Sequence, residues 1–417
     1  MRNPMTRLIV LGMLLLPLLA ACGGTAAQPT AAPASTTAPA PTNAPAPTAA
    51  AAATAAPTAA AAATAAPTAA AAATAAPTVA PTVAATDDKL RIGLVTDLGK
   101  VNDGTFNEFA HKGALRASEE LGLEYKYIET TAQADYEANI KTLVDEKFDI
   151  IITVGFLIAD ATKAAAATNP DITFIGVDQF YESGTATDNI VGLQFREDQG
   201  GFLAGALAAM MSESGTIGIV AGLEIPPVKK FKNGFDNGAQ YVRPDVNLLG
   251  VYVPSFVDPA LGGSTAEQMI GEGADVIFGA GGPTGSGGIA AAAAKGVYVI
   301  GVDQDEYTTT FKGGNAPGGD KILTSAIKRV DNAVYDQITQ RVDGSFTGNG
   351  IAVYEASNEG VGYADYHDTA AAVPDGVKAK MEEILKLLAD GTLTTGVDPV
   401  SGDIDEATIP EASPYTP

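Results

Sequence analysis

The stretch from Thr96 to Gly113, TDLGKVNDGTFNEFAHKG, places one aromatic side chain among polar ones. Phe106 is followed directly by Asn107, and the carboxylates of Asp97 and Asp103 lie a few residues before it. An aromatic face ringed by hydrogen-bonding groups suits a flat ligand that has a polar edge. The alternative is that the Phe106 ring only packs in a hydrophobic core.

Three aspartates are each predicted to follow a strand directly. Asp97 follows LRIGLVT, whereas Asp178 and Asp303 end two copies of one motif, ITFIGVDQ and VYVIGVDQ. Carboxylates suit a sugar because each can accept hydrogen bonds from two neighbouring hydroxyls. Their mutual repulsion needs a nearby cation, which Lys328 of SAIKRV can supply. For each aspartate the alternative is a turn or helix cap.

The elements that would position these residues alternate between strands and helices. The first helix is predicted from Phe106 to about Leu121, with Thr105 and Glu108 in the T-x-x-E spacing of a capping box. Continuous apolar strands such as DIIITVG and ITFIGVD are typical of buried parallel sheets. Because the plan repeats after TIGIVAG, the sequence predicts an α/β protein with two similar lobes. Ligands of such sheets bind beyond the carboxyl ends of the strands.

Composition and missing motifs exclude several function classes. After residue 86 the chain holds 23 Lys and Arg against 49 Asp and Glu, a balance of −26 that argues against nucleic acid as a partner. Two histidines and a single cysteine make a zinc site or a disulfide framework implausible. GAGGPTGSGG lacks the lysine of a P-loop, and no G-x-S-x-G elbow occurs. We therefore expect no metal, no cofactor and no enzymatic activity.

The amino terminus predicts export. Arg2 and Arg7 precede the apolar run LIVLGMLLLPLLAAC, which is too short to span a membrane and ends like a bacterial lipobox. We expect residues 1–21 to be a signal peptide and Cys22 to carry the lipid, the alternative being a plain signal peptide with an incidental cysteine. Residues 22–86, with three near-copies of AAATAAPTAA, predict an extended tether.

Seven co-linear blocks resemble the basic membrane protein (BMP) family, the purine-nucleoside-binding lipoproteins of ABC importers. They include DLGKVNDGTFNEFAHKG, REDQGGFLAGALAA, GLEIPPVKKFKNGFDNGA, VIGVDQDE and LTSAIKRVDNAV, and the resemblance covers roughly 90–340. It implies a type I periplasmic-binding-protein fold in which two lobes are joined by a hinge of three crossovers. Lobe 1 is expected at about 89–195 plus about 326–352, and lobe 2 at about 196–325 plus the C-terminal part of the 87–417 domain.

The resemblance also implies roles for particular residues. The base-binding role falls on Asp97, Phe106, Asn107 and Phe231. The ribose-binding role falls on Asp178, Asp303 and Lys328, with the backbone near Gly282 close by. After GVDQD the family usually has Gln where this chain has Glu306, which predicts an additional charge beside the ribose end.

These expectations define a lipid-anchored, monomeric receptor on the outer side of the membrane. It would capture guanosine, inosine or adenosine and pass the nucleoside to an ABC permease. Three alternatives remain: a sugar or autoinducer receptor of the same fold, a nucleoside hydrolase that uses the aspartates, and a transcriptional regulator. The export signal and the absence of a DNA-binding segment argue against the regulator.

Overall fold

The computed structural model describes residues 89–416. The predicted signal peptide, the predicted lipidation site Cys22 and the predicted tether of residues 22–86 lie outside this part of the chain. None of the helices within 89–416 has the length and apolar character needed to cross a membrane.

The first part of the described chain contains β1 (Arg91–Leu98), α1 (Phe106–Leu121), β2 (Glu124–Thr130), α2 (Tyr136–Asp145), β3 (Ile150–Val154), α3 (Ala159–Thr168), β4 (Thr173–Val177), β5 (Ile190–Phe195) and α4 (Glu197–Met211). The middle part contains β6 (Thr216–Ala221), α5 (Pro226–Val242), β7 (Asn247–Tyr252), α6 (Pro259–Gly271), β8 (Val276–Ala280), α7 (Gly282–Ala294) and β9 (Tyr298–Asp303). The last part contains β10 (Ile322–Lys328), α8 (Val330–Asp343), β11 (Gly350–Tyr354), β12 (Val361–Tyr363) and α9 (Asp375–Ala389).

These strands form two sheets of six strands each. The sheet of lobe 1 has the order β11-β5-β4-β3-β1-β2 and is parallel throughout. The sheet of lobe 2 has the order β12-β10-β9-β8-β6-β7 and is parallel except for β12, which pairs antiparallel with β10. Every residue of β3, β4 and β8 is buried, as expected for strands covered by helices on both faces. The predicted α/β class with two similar parallel-sheet lobes is confirmed.

The chain crosses between the lobes three times. The crossovers follow β5, β10 and β11, so that lobe 1 contains 91–195 and 330–354 and lobe 2 contains 197–328 and 361–416. The second crossover comes after Lys328 and not at about 326, because Ala326 and Ile327 still pair with β9. The C-terminal segment belongs to lobe 2, where the backbone N–H of Ser413 donates to Tyr241 O at 2.7 Å.

The first two crossovers share one local structure. Arg196 and Arg329 both have backbone angles close to an inverse γ-turn (φ −88°, ψ 64° and φ −76°, ψ 57°). Each guanidinium donates two hydrogen bonds to the aspartate two residues later, Asp198 or Asp331, at 2.7 to 2.9 Å. The repeat seen in the two lobes therefore extends to the hinge.

Helices α4 and α5 approach each other unusually closely. A Cβ atom added at Gly201 would lie 2.2 Å from Phe231 O, and one added at Gly205 would lie 1.9 Å from Phe235 O. Glycine is required at both positions because the facing backbone leaves no room for a side chain. The contact fixes α5, which carries Phe231, against the helix that follows the first crossover.

Candidate functional site

One cavity between the lobes brings together all eight predicted site residues. About 590 Å³ of space between its lining residues is unoccupied by protein atoms, and this figure includes the part of the cleft that is open to solvent. Lobe 1 and lobe 2 each contribute four of these residues: Asp97, Phe106, Asn107 and Asp178, and Phe231, Gly282, Asp303 and Lys328. Asp103, which the sequence placed near Phe106, also lines the cavity, and further lining residues without a predicted role are Phe156, Ile225, Val228 and Phe256.

Asp97 presents a carboxylate at the end of β1. Its Oδ1 accepts hydrogen bonds from the Tyr136 hydroxyl and from the backbone N–H of Leu98, the latter at 2.7 Å. Both bonds fall on Oδ1, so Oδ2 is the oxygen that can serve a ligand. A Cβ atom at Gly155 would lie 2.2 Å from this Oδ2, which explains the glycine there. Burial raises the pKa of Asp97 to about 6, although the two hydrogen bonds oppose this shift.

Asp103 caps α1, and this differs from the predicted capping box. The Thr105 side chain makes no capping hydrogen bond, whereas Asp103 accepts from the backbone N–H groups of Thr105, Asn107 and Glu108 at 2.9 to 3.1 Å. The other half of the box also differs, because the Glu108 carboxylate accepts from the N–H of Gly104. A carboxylate two residues upstream of Thr105 reaches more of the free N–H groups than the threonine hydroxyl can.

The Asn107 amide is held by both neighbouring aspartates. Its Oδ1 accepts from the backbone N–H of Asp97 at 3.0 Å, and its Nδ2 donates to Asp103 Oδ2 at 3.0 Å. Asn107 therefore ties the end of β1 to the start of α1, on which Phe106 is the first residue.

The two aromatic side chains come from opposite lobes. Phe106 begins α1 and is half-buried, while Phe231 lies in the second turn of α5 and is 5 % exposed. The edge-to-face contact of Phe231 with Phe278, with centroids 6.0 Å apart and planes at 71°, holds the Phe231 ring from lobe 2. Both rings line the same cavity.

The other end of the cavity is charged. Lys328 Nζ lies 2.7 Å from Asp178 Oδ2 and 4.8 Å from the centroid of Phe106, so it links the acidic end to the aromatic end. The second oxygen of Asp178, Oδ1, is buried and has no hydrogen-bond partner in the described part of the protein. Burial raises the pKa of Asp178 to about 6 and that of Asp303 to about 7, against the lowering effect of Lys328.

The two IGVDQ turns have the same backbone conformation. Asp178 (φ 61°) and Asp303 (φ 64°) both lie in the left-handed region, which Asp tolerates better than most residues and which is enriched at functional sites. The glutamines that follow differ in their partners. Gln179 Nε2 donates to Thr153 Oγ1 within lobe 1, whereas Gln304 Nε2 reaches across to Thr105 O at 3.2 Å.

The lobes touch each other at the edge of the cleft. In addition to the Gln304 contact, Lys112 Nζ of lobe 1 donates to Gln304 Oε1 at 2.8 Å, and Thr309 Oγ1 of lobe 2 donates to Gly104 O at 2.9 Å. These contacts join α1 and the residues just before it in lobe 1 to the segment that follows β9 in lobe 2.

Glu306 does not place a charge beside the ribose end as predicted. Its side chain is fully buried and is absent from the cavity lining. Its Oε1 accepts from the N–H of Val302 at 3.1 Å, and its Oε2 accepts from the Thr310 hydroxyl. The carboxyl lies beneath the IGVD turn because these two donors satisfy it there, and burial raises its pKa to about 7.

The buried carboxyls predict a pH-dependent stability of the ligand-free protein. Asp97, Asp178, Asp303 and Glu306 have folded pKa values of about 6 to 7, above their ordinary values of 3.8 and 4.5. At pH values between the ordinary pKa and the folded pKa of these carboxyls, the folded state binds more protons than the unfolded state. The free energy of unfolding should therefore fall as pH rises from about 5 to 7. Urea unfolding at pH 5, 6, 7 and 8 measures this. Glu306→Gln should flatten the fall, and stability that rises over the same range would contradict the assignment.

Comparisons with known proteins agree with this architecture. The family described as ABC transporter substrate-binding protein PnrA-like matches residues 90–386. The ABC transporter nucleoside-binding protein BmpA of Lactococcus lactis is 31% identical over 318 residues, covering 73% of this chain and 88% of that protein. Basic membrane protein A of Borreliella burgdorferi is 34% identical over 246 residues, covering 58% of this chain and 70% of that protein.

Solved structures show the same fold. A solute-binding protein of an ABC transporter system from Aeropyrum pernix aligns with a TM-score of 0.63 and 29% identity, over 73% of this chain and 92% of that chain. A second one, from Conexibacter woesei, aligns with a TM-score of 0.59 and 22% identity, over 75% and 99%, and supports the fold alone. The two-lobed periplasmic-binding-protein fold implied by the sequence is thereby confirmed. The chain belongs to the Bmp family of PnrA-like substrate-binding proteins of ABC transporters.

Proposed function

We propose that this protein captures purine nucleosides in the cavity between its lobes and delivers them to an ABC permease in the membrane. The observation that carries the proposal is one cavity with two aromatic rings from opposite lobes and an Asp–Lys cluster next to them. A nucleoside has a flat base, which suits the aromatic rings, and a sugar with vicinal hydroxyls, which suits the carboxylates. The name of the Lactococcus relative gives independent support.

The base would lie between Phe106 and Phe231. Stacking on an aromatic side chain contributes about 1–3 kcal/mol per base. Asp97 Oδ2 would accept from a base N–H, adding about 1.5–3 kcal/mol for a hydrogen bond to a charged group. Asn107 acts through Asp97 and Asp103, which its amide holds.

The ribose would bind at the acidic end. Asp178 Oδ1 has a free lone pair in a buried position, and it can accept from a sugar hydroxyl without giving up its ion pair with Lys328. Asp303, in the equivalent turn of lobe 2, would accept from the neighbouring hydroxyl. Gly282, the first residue of α7, has no side chain and leaves its backbone accessible to the ligand.

Alanine substitutions of the aromatic residues test the stacking model. Phe106→Ala and Phe231→Ala should each weaken inosine binding at least about tenfold, since each removes one stacking face. Isothermal titration calorimetry measures the change. Phe109→Ala, on the same helix as Phe106 but outside the cavity lining, serves as the control. Unchanged affinity in both cavity variants would contradict the proposal.

Two alternative functions, a sugar or autoinducer receptor and a nucleoside hydrolase, can be separated from nucleoside binding by two further measurements. If the protein is a sugar or autoinducer receptor, free ribose should displace the bound ligand, whereas the nucleoside model predicts that ribose competes weakly. If the aspartates make it a nucleoside hydrolase, prolonged incubation with inosine should release hypoxanthine. We expect no release, because the proposed role of the carboxylates is to accept hydrogen bonds from the sugar.

We further propose that Cys22 carries a lipid anchor and that residues 22–86 hold the binding domain away from the outer face of the membrane. The lipobox-like LAAC and the Ala/Thr/Pro repeats support this arrangement. Cys22→Ser should move the protein from the membrane fraction to the soluble fraction. A variant that stays with the membrane would show that another segment anchors it.

A further inference from the structure

A second pair of buried charges lies behind the Asp178–Lys328 pair. Glu197 Oε1 is 2.9 Å from Lys328 Nζ, and Glu197 Oε2 is 2.5 Å from Lys230 Nζ. Glu197 is 0 % exposed and both lysines are 2 % exposed. Four groups thus alternate in charge from the cavity into the protein, from Asp178 through Lys328 and Glu197 to Lys230. Neither Glu197 nor Lys230 lines the cavity.

The members of this chain of charges lie where the lobes join. Glu197 is the first residue of α4, directly after the first crossover, and Lys328 is the last residue of β10, directly before the second. Lys230 Nζ also donates to Phe195 O at 2.8 Å, which is the last residue of β5 in lobe 1. Lys230 immediately precedes Phe231 on α5.

Glu197 is the shared partner that makes two buried ammonium groups tolerable. A buried charge is stable only when it is paired and hydrogen-bonded. Burial opposes ionisation of Glu197, but Lys230 and Lys328 outweigh it and lower the pKa of the Glu197 carboxyl, which is therefore ionised at neutral pH. Each of its two oxygens forms an ion pair with one lysine, although neither contact has the geometry of a hydrogen bond. Without Glu197, Lys230 Nζ would keep only its hydrogen bond to the backbone oxygen of Phe195. Lys328 Nζ would keep only its ion pair with Asp178.

We propose that Glu197 is a positioning residue of the cavity, which fixes the Lys328 ammonium beside Asp178 and, through Lys230, holds the turn of α5 that presents Phe231. The inference rests on the proposed nucleoside function, because it describes how the acidic end and one aromatic face keep their relative position. Glu197 does not line the cavity, so this role needs no contact between its carboxylate and the ligand.

The charge of Glu197 also affects the protonation of Asp178. Burial raises the pKa of Asp178, and the negative charge of Glu197 raises it further, while Lys328 and Lys230 lower it. The charged groups that face Glu197 and Asp178 from the surrounding elements are Asp97, Arg196, Lys230, Asp303 and Lys328. Ionised carboxylates accept stronger hydrogen bonds from sugar hydroxyls than protonated ones do. The affinity for nucleosides should therefore rise with pH as Asp178 and Asp303 lose their protons.

The test compares Glu197→Gln and Lys230→Met with Lys232→Met in the full-length protein. Lys232 lies on the same helix and forms its own ion pair with Asp236 at 2.5 Å, away from the cavity lining. Inosine affinity is measured by calorimetry from pH 5 to 8. We expect the first two variants to bind about tenfold more weakly, since small displacements of positioned groups carry penalties of this order or larger, and Lys232→Met to bind like the wild type.

The pH profile separates positioning from a general structural effect. In Glu197→Gln the midpoint of the affinity curve should move to lower pH, because the charge that raises the pKa of Asp178 is gone. Unchanged affinity together with an unchanged midpoint would overturn the inference. If Glu197→Gln does not fold, Glu197→Asp keeps the charge on a side chain one methylene too short to reach both lysines, and it should show the same loss of affinity.

A crystal structure of Glu197→Gln tests the inference without a ligand. We expect Lys328 Nζ to move from its position between Asp178 and Glu197 while it stays paired with Asp178, and we expect Phe231 to shift. If both stay in place, Glu197 does not position them. Failure of the wild-type protein to bind inosine would instead refute the proposed function, and the crystal structure would still decide whether Glu197 has this role.

Discussion

Lys328→Met should destabilise the protein by about 3–5 kcal/mol, the range measured when one partner of a buried ion pair is removed, and should abolish detectable nucleoside binding. Lys328 is the cation between Asp178 and Glu197, and its charge also lowers the pKa of Asp303. Methionine fills a similar volume but leaves these carboxylates buried without their shared partner.

The loss should grow with pH. Because Lys328 lowers the pKa of Asp178 and Asp303, its removal raises both values further above those of the unfolded chain. A carboxyl whose pKa is higher in the folded than in the unfolded state stabilises the folded state at low pH. This stabilisation is lost as pH rises through the folded pKa. Urea unfolding of wild type and variant should therefore show a smaller difference at pH 5 than at pH 8.

Lys126→Met provides the matched control. Lys126 pairs with Glu146 at 2.7 Å, but both side chains are at least two-fifths exposed. Exposed pairs contribute about 0–1 kcal/mol, so this variant should unfold nearly like the wild type. A Lys328→Met protein as stable as Lys126→Met at pH 8 would mean that the acidic end does not depend on its cation.

Gly201→Ala should be the second most damaging of these substitutions. The added methyl group would lie 2.2 Å from Phe231 O, closer than any real Cβ contact, so α4 and α5 must separate. Overpacking of this kind destabilises by about 1–3 kcal/mol. Because the backbone that must move belongs to Phe231, we expect nucleoside affinity to fall together with the denaturation midpoint.

Gly271→Ala is the control for helical glycines. Gly271 ends α6, and a Cβ atom there would meet no atom within 4 Å. Alanine in a helix is more favourable than glycine by about 0.5–1 kcal/mol, so this variant should be as stable as the wild type or more so. If Gly201→Ala behaved in the same way, the close approach of α4 and α5 would be relaxed in solution.

Much of the fold follows from local patterns in the sequence. The apolar runs of β3, β4 and β8 and the amphipathic helices between them define two parallel sheets. Parallel strands place their carboxyl ends at one edge of a sheet, so residues at these ends converge if the lobes face each other. Asp97 and Asp303 lie within the last two residues of β1 and β9, and only Asp178 follows its strand directly as predicted. The cavity lining contains all three.

The parts that sequence reasoning missed depend on long-range contacts. Glu197 is an unremarkable acidic residue at a helix start, and its partners Lys230 and Lys328 lie 33 and 131 positions away. The block REDQGG contained Glu197, but no periodicity indicates that its carboxylate is buried. The prediction for Glu306 was wrong for a related reason. Its donors Val302 and Thr310 are local, but its backbone N–H donates to Ser325 Oγ of β10, a contact that the local sequence does not reveal.

The C-terminal tail after about 390 also had no recognisable pattern. In the structure it packs on lobe 2, where Asn237 Nδ2 donates to Thr395 O at 2.8 Å and Asn233 Nδ2 donates to Gly402 O at 2.7 Å. The Thr395 hydroxyl donates to Asp198, which belongs to the first crossover. Isolated contacts to α5, through side chains and through the backbone of Ser413 and Tyr415, hold this irregular segment, and such contacts leave no periodic signal in a sequence.

The most direct test of the central claim is calorimetry of the domain 87–417, refolded to remove any ligand retained from the host. Guanosine, inosine, adenosine, uridine, ribose and adenine are titrated separately. We predict micromolar to nanomolar binding of purine nucleosides, about −8 to −12 kcal/mol, with ribose and free adenine weak, because the cavity contacts base and sugar together. Heat with ribose and none with any nucleoside would contradict the proposed nucleoside-binding function.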